Sequence, residues 1–159
     1  MKKLLALLLG AGMLLGMTAC GQKEETPAPV KSFETSLVQE LVNAGAFSEE
    51  LEELDADTAF MLYRFAEYGM VREDLTDAVV LRSAGATCEE GAVLIFADGE
   101  KASAAAEALE DYLDSQIETN EDYRPNEIPK LQGAVLKVEG NSVLMAVPND
   151  AAAVRNVFE

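Results

Sequence analysis

The run Ala92-Val93-Leu94-Ile95-Phe96-Ala97 carries no polar side chain at any position. Neighbouring side chains along a strand point to opposite faces, so a run apolar throughout hides both faces and belongs in the middle of a sheet. Asp98-Gly99 stops it. A strand over 77–83, with Val79, Val80 and Leu81 at its centre, precedes it. Two more follow at 134–139 and 142–147, joined by Gly140-Asn141, a strong hairpin signal. Thr87-x-x-Glu90 has the spacing of a capping box and predicts one helical turn just before the apolar run.

Helical periodicity fills the remainder. Residues 36–44 place Phe33, Leu37, Leu41 and Ala44 on one face, with Ser36-x-x-Gln39 as a capping box, Ser32 as a rival cap and Gly45 as the stop. Ser48 is expected to cap a short acidic helix over 49–54, whose acids favour a helix N-terminus. A third helix starts at Asp55 or Asp57, turns Ala59, Leu62, Tyr63 and Ala66 inward and ends at Gly69. The longest helix, 100–118, is Ala-rich, with a stripe of Ala102, Ala105, Ala106, Leu109, Leu113 and Ile117. Residues 120–133, with Pro125 and Pro129, read as a loop, and Pro148-Asn149-Asp150 leads into a last helix over 151–158. The order is N-terminal helices, then β-β-α-β-β-α. It predicts an α+β domain with a four-stranded, mainly antiparallel sheet and helices on one face.

The N-terminus is of another kind. Met1-Lys2-Lys3 is a basic start, residues 4–15 are almost purely apolar, and small residues lead to Met17-Thr18-Ala19-Cys20. This is the layout of a secretory leader, and it is too short for a transmembrane helix, which needs about 20 apolar residues. A cysteine directly after the small residues resembles the lipobox of bacterial lipoproteins, with Met17 where Leu is usual. The resemblance implies cleavage before Cys20 and a diacylglycerol on its thiol. Two acyl chains hold far more firmly than one, at roughly 0.8 kcal/mol per buried methylene. The domain organisation expected is a signal peptide at 1–19, a lipid-anchored tether at 20–31 and a single α+β domain at 32–159. The tether contains Pro27 and Pro29 and favours extended backbone.

Charge and residue types exclude several functions. The whole chain has a formal net charge of −17, and the leader removes two of its lysines. No basic run is present, so nucleic acid is not an expected partner. The acidity serves solubility and keeps the domain off anionic headgroups. There is no histidine, which removes His-based nucleophile systems and His metal sites. With Cys20 committed to lipid, Cys88 stands alone, without CxxC spacing, as a small residue in a turn. Acidic pairs such as Glu49/Glu50 and Glu89/Glu90 arise by chance in so acidic a chain and do not mark a glycosidase. Asp55-x-Asp57 lacks the later ligands and glycine of a calcium loop, and Asp98-Gly99-Glu100 lacks the spacing and lysine of a phosphate turn. No cofactor is expected.

Three stretches are similar to a family of Gram-positive lipoproteins known as domain of unknown function 4358: residues 41–63, 77–98 and 123–150. The resemblance implies the extracytoplasmic face of a Gram-positive cell membrane and carries no catalytic residues. The expected function is a non-enzymatic binding or interaction module for a protein, peptide or envelope ligand; the alternative is an acidic cation-binding surface lipoprotein, with an enzyme of unrecognised type last. Tyr123 and Arg124 in the 120–133 loop are the candidate binding residues, being types rich in interface hot spots. The competing reading has Tyr123, Ile128 and Leu131 packing inward. Cys20→Ser is expected to leave an uncleaved, unlipidated precursor. Detergent phase partitioning with mass measurement checks it, and an aqueous-phase parent with unmodified Cys20 would exclude the anchor.

Overall fold

In the computed structural model, residues 31–158 are described. The leader, Cys20 and all but the last residue of the tether lie outside them. Five α-helices and five strands follow in the order α1 (Leu37–Asn43), β1 (Glu52–Leu54), α2 (Ala56–Leu62), β2 (Leu75–Arg82), β3 (Glu90–Phe96), α3 (Gly99–Asn120), α4 (Ile128–Gln132), β4 (Val135–Glu139), β5 (Ser142–Val147) and α5 (Ala151–Phe158). Short 3-10 turns occupy Phe65–Tyr68, Arg72–Asp74 and Pro125–Glu127. The strands form one sheet in the order β1-β2-β3-β5-β4, every pair antiparallel. The apolar run is therefore its central strand.

Both β3 and β5 bury side chains on each face, and this decides the layering. One face presents Val80, Ala92, Leu94, Phe96, Val143, Met145 and Val147 to Ala59, Tyr63 and Phe65 and to the α3 stripe of Ala102, Ala105, Leu109 and Leu113. The other presents Val93, Leu144 and Ala146 to Val38 and Leu41 of α1 and to Ala153 and Val154 of α5. Helices cover both faces, not one. Gly91 on β3 permits close packing on the second face, because a Cβ there would stand 2.9 Å from the ring of Phe47. At the other end of the strand, a Cβ on Gly99 would stand 3.0 Å from the Gly140 carbonyl oxygen, so α3 starts hard against the β4–β5 turn.

The fifth strand replaces the expected acidic helix at 49–54. β1 pairs Glu52 with Arg82, Glu53 with Leu81 and Leu54 with Val80. Ser48 does not cap a helix: its backbone N–H and hydroxyl both donate to Glu89. Four glutamates in six residues also repel at helical spacing, whereas a short edge strand points them into water. The expected helical turn at Thr87 is likewise absent. Glu90 does not reach back to Thr87; it enters β3 and turns into the core, while the Thr87 hydroxyl oxygen accepts from the Glu89 N–H. At α1 neither serine caps through its side chain, and the Ser32 hydroxyl donates to Asn141 instead.

The third helix starts at the Asp55 cap, whose carboxylate accepts from the N–H groups of Asp57 and Thr58. It ends early, at Leu62. Arg64 adopts the left-handed conformation at φ 56°, alone among the described non-glycine residues. The chain then re-enters as a 3-10 turn that buries Phe65 and exposes Ala66. The 120–133 segment is also more regular than a loop. α3 runs on to Asn120, and Pro129 fits the first turn of α4, where a missing N–H costs no helical bond.

Leu94 is fully buried in the central strand. Leu94→Asp is expected to remove most of the folding stability, since a buried unpaired carboxylate costs several kcal/mol. Urea unfolding checks this, and a variant as stable as the parent would displace β3 from the core.

Candidate functional site

Two adjacent glutamates at the start of β3 are both buried, and each is satisfied differently. Glu90, 2 % exposed, receives the Tyr63 hydroxyl at 2.5 Å and the Tyr112 hydroxyl at 2.8 Å, with Arg82 Nε at 3.4 Å. Burial raises its carboxyl above the ordinary value, against the opposing pull of the two phenols and Arg82. The same burial, with the Glu90 charge, pushes both tyrosines well up. Glu89, fully buried, accepts from the Ser48 N–H at 2.6 Å, the Ser48 hydroxyl at 2.5 Å and Lys130 Nζ at 2.7 Å. Burial acts to raise this carboxyl too, but the bonds from Lys130 and Ser48 outweigh it and hold it low.

The turn joining β2 to β3 is fastened to the α3–α4 segment by this second network. Lys130 also pairs with Glu127 at 3.2 Å, and Glu127 accepts from the Cys88 N–H at 2.9 Å. Arg124 donates to Asn120 Oδ1 at 2.7 Å and to the carbonyls of Gly85 and Thr87 at 3.0 and 3.1 Å. Arg124 and Lys130 are thus both committed to internal partners. Tyr123 does project outward, 86 % exposed, while Leu131 is buried and Ile128 packs partly against the core. Tyr123 and Arg124 therefore part company: one faces solvent, the other ties two segments together. Cys88 is half-buried, and burial raises its thiol pKa, away from the reactive thiolate.

A cavity of about 160 Å³ opens between α3 and the junction of α2 with the 3-10 turn at Phe65–Tyr68. Tyr63, Tyr68 and Tyr112 line it, with Leu62, Arg64, Ala108, Asp111, Ser115 and Gln116. Tyr63 and Tyr112 meet edge to face, their centroids 5.1 Å apart. Tyr63 also leans on Phe65, which meets Phe96 of the central strand at 5.5 Å. The cavity wall is therefore built on the core. The Tyr68 hydroxyl donates to Asp111, and this bond raises the Tyr68 pKa. Arg64 is held by Glu67 through Nε at 2.8 Å and a terminal nitrogen at 2.7 Å. The left-handed turn at Arg64 separates Tyr63 from Phe65 at the cavity's edge, the kind of backbone outlier that concentrates at ligand sites.

No motif in the sequence marks this cavity. Its residues come from 62–68 and 108–116, and only the stop at Arg64 brings the tyrosines together. An available signal was the pair of tyrosines on segments packing over an otherwise apolar strand that begins with glutamate. Among the described residues no group of three or more His, Cys, Asp or Glu side chains is placed to hold a metal ion, and no helix is long and apolar enough to cross a membrane.

An α+β domain with a fully antiparallel five-stranded sheet and a tyrosine-lined cavity beside its longest helix defines the class. Residues 48–148 match the sequence model of the domain of unknown function DUF4358, and the chain belongs to that family. No curated protein and no solved structure matches it. The matched span holds all five strands, α2, α3, α4 and the cavity, and leaves out α1 and α5.

Glu89→Gln removes the charge held by Lys130 and Ser48 and is expected to cost about 3 kcal/mol at neutral pH. The carboxyl is held below its ordinary 4.5, so its contribution is complete above that value and is lost as pH falls through the folded-state value. Glu90, raised by burial, runs the other way in both proteins and cancels in the comparison. Urea unfolding from neutral pH down to about pH 3 should show the gap between parent and variant shrinking only below 4.5. An undiminished gap at the acid end would exclude Glu89 as its source.

Proposed function

We propose that this chain is a lipid-anchored extracytoplasmic module, held by a diacylglycerol on Cys20 at the outer face of a Gram-positive cell membrane, that binds a small ligand without transforming it. The leader, the cysteine after its small residues and the resemblance to surface lipoproteins support the anchor and the location. The observation that carries the binding reading is the tyrosine-lined cavity beside α3. It lies in a domain where no buried side-chain polar atom among the described residues lacks a hydrogen-bond partner. The core is satisfied, and the cavity wall is made of groups fixed in place by it. Fixed walls lower the ordering cost of binding. No histidine is available as a general base, and Cys88 packs partly buried against the core, which supports binding over catalysis.

The loop at Tyr123 offers a different surface, suited to a macromolecular partner by its exposed aromatic ring and fixed flanks. Amide NMR of the full-length protein in a non-ionic detergent, with a fragment set spanning cations, anions and neutral polar molecules, separates the two. Saturable shifts at Ala108, Ser115 and Gln116 are expected. Shifts confined to residues around Tyr123, or none with any fragment, would overturn the cavity as the binding site.

A further inference from the structure

From the cavity's electrostatics we infer that its ligand is a small aliphatic ammonium ion; the inference rests on the cavity being the binding site. The sign of the ligand's charge follows from where the hydroxyl protons go. Tyr63 and Tyr112 both donate to Glu90, and Tyr68 donates to Asp111. All three phenolic protons are spent on carboxylates, so none is left to meet an anion. A phenol that donates to a carboxylate gains electron density in its ring, which strengthens the negative face that attracts cations.

The charged groups point the same way. Arg64 is neutralised by Glu67, and Arg82 is drawn to Glu90. No lysine or arginine among the described residues bridges Asp111, whose one hydrogen-bond partner there is Tyr68. Beside the neutral Ser115 and Gln116, the lining joins aromatic surface to a carboxylate that no cation bridges and a guanidinium paired with Glu67, in a chain of net charge −17 that draws cations toward it.

Size and hydration narrow the class. About 160 Å³ is close to the roughly 150 Å³ of a cavity that admits benzene, so the head group and a few carbons fill it. A hard metal ion is a poor fit, because it requires six or more oxygen ligands or retained water, and one carboxylate with ring faces supplies neither. An alkylammonium loses its weaker hydration cheaply and is held by ring faces and charge together.

The test compares three probes of one shape: choline, the neutral isostere 3,3-dimethylbutan-1-ol and the anion 3,3-dimethylbutyrate. Each is titrated into the full-length protein in non-ionic detergent, with the amides of Ala108, Ser115 and Gln116 as reporters. Choline is expected to bind about tenfold more tightly than the alcohol, and the anion not to bind. Asp111 lies on the exposed side of α3, and Asp111→Asn should weaken choline about fivefold and reduce its preference over the alcohol. Equal binding of choline and the alcohol, or a preference for the anion, overturns the ammonium assignment and leaves the cavity as the site. No shift at these amides with any of the three overturns both.

Discussion

The architecture depends on two neighbouring strands that have no face to show to water. All six residues of β5 are buried, and six of seven in β3. An antiparallel sheet commonly leaves one face solvated. Here that option is closed, and the helices are placed by the need to cover β3 and β5 twice. α3, α2 and the 3-10 turn supply one layer; α1 and α5 supply the other. The acidic edge strand β1 and the partly exposed β4 lie outside the doubly covered pair, where charged side chains reach solvent.

The same constraint explains why two glutamates at the mouth of β3 are so heavily partnered. A strand that enters the core carries its first side chains in with it. An ionised carboxylate there has to find donors or become protonated. Glu89 is met by an ammonium group and a serine, Glu90 by two phenols and a more distant guanidinium. The phenols are the unusual choice. They neutralise nothing, and both reach from Glu90 to the wall of the cavity. A structural need inside the sheet thereby sets the chemistry of a surface feature.

Much of this was legible in the residues. β5 and α5 occupy the spans their patterns predict, and α3 exceeds its predicted span only at the ends, because period and turn chemistry agree there. The central place of β3 followed from its composition. The double layer was implied by the same run, yet the order of elements suggested one covered face; α1 and α5 stand far apart in sequence, and nothing local says that they meet. β1 was hidden because its glutamates and Ser48 look like a helix start, while the partner that claims Ser48 lies 41 residues away. The Thr87 box failed for the same reason: Glu90 finds better donors across the fold. The cavity depends on a left-handed arginine, a conformation no residue type at position 64 announces.

The way the chain enters the domain has a mechanical consequence. Lys31 pairs with Glu139, Ser32 donates to Asn141, and the Phe33 N–H donates to the Ser142 hydroxyl oxygen. The N-terminal segment is thus stitched to the turn between β4 and β5. Any pull transmitted through the preceding residues loads this corner first and shears those three contacts before it reaches α1. Glu90 sits at the opposite end of β3, roughly 20 Å along the strand at 3.4 Å per residue, with Tyr63 and Tyr112 upon it. The corner that would bear such a load and the end that carries the cavity are therefore separate.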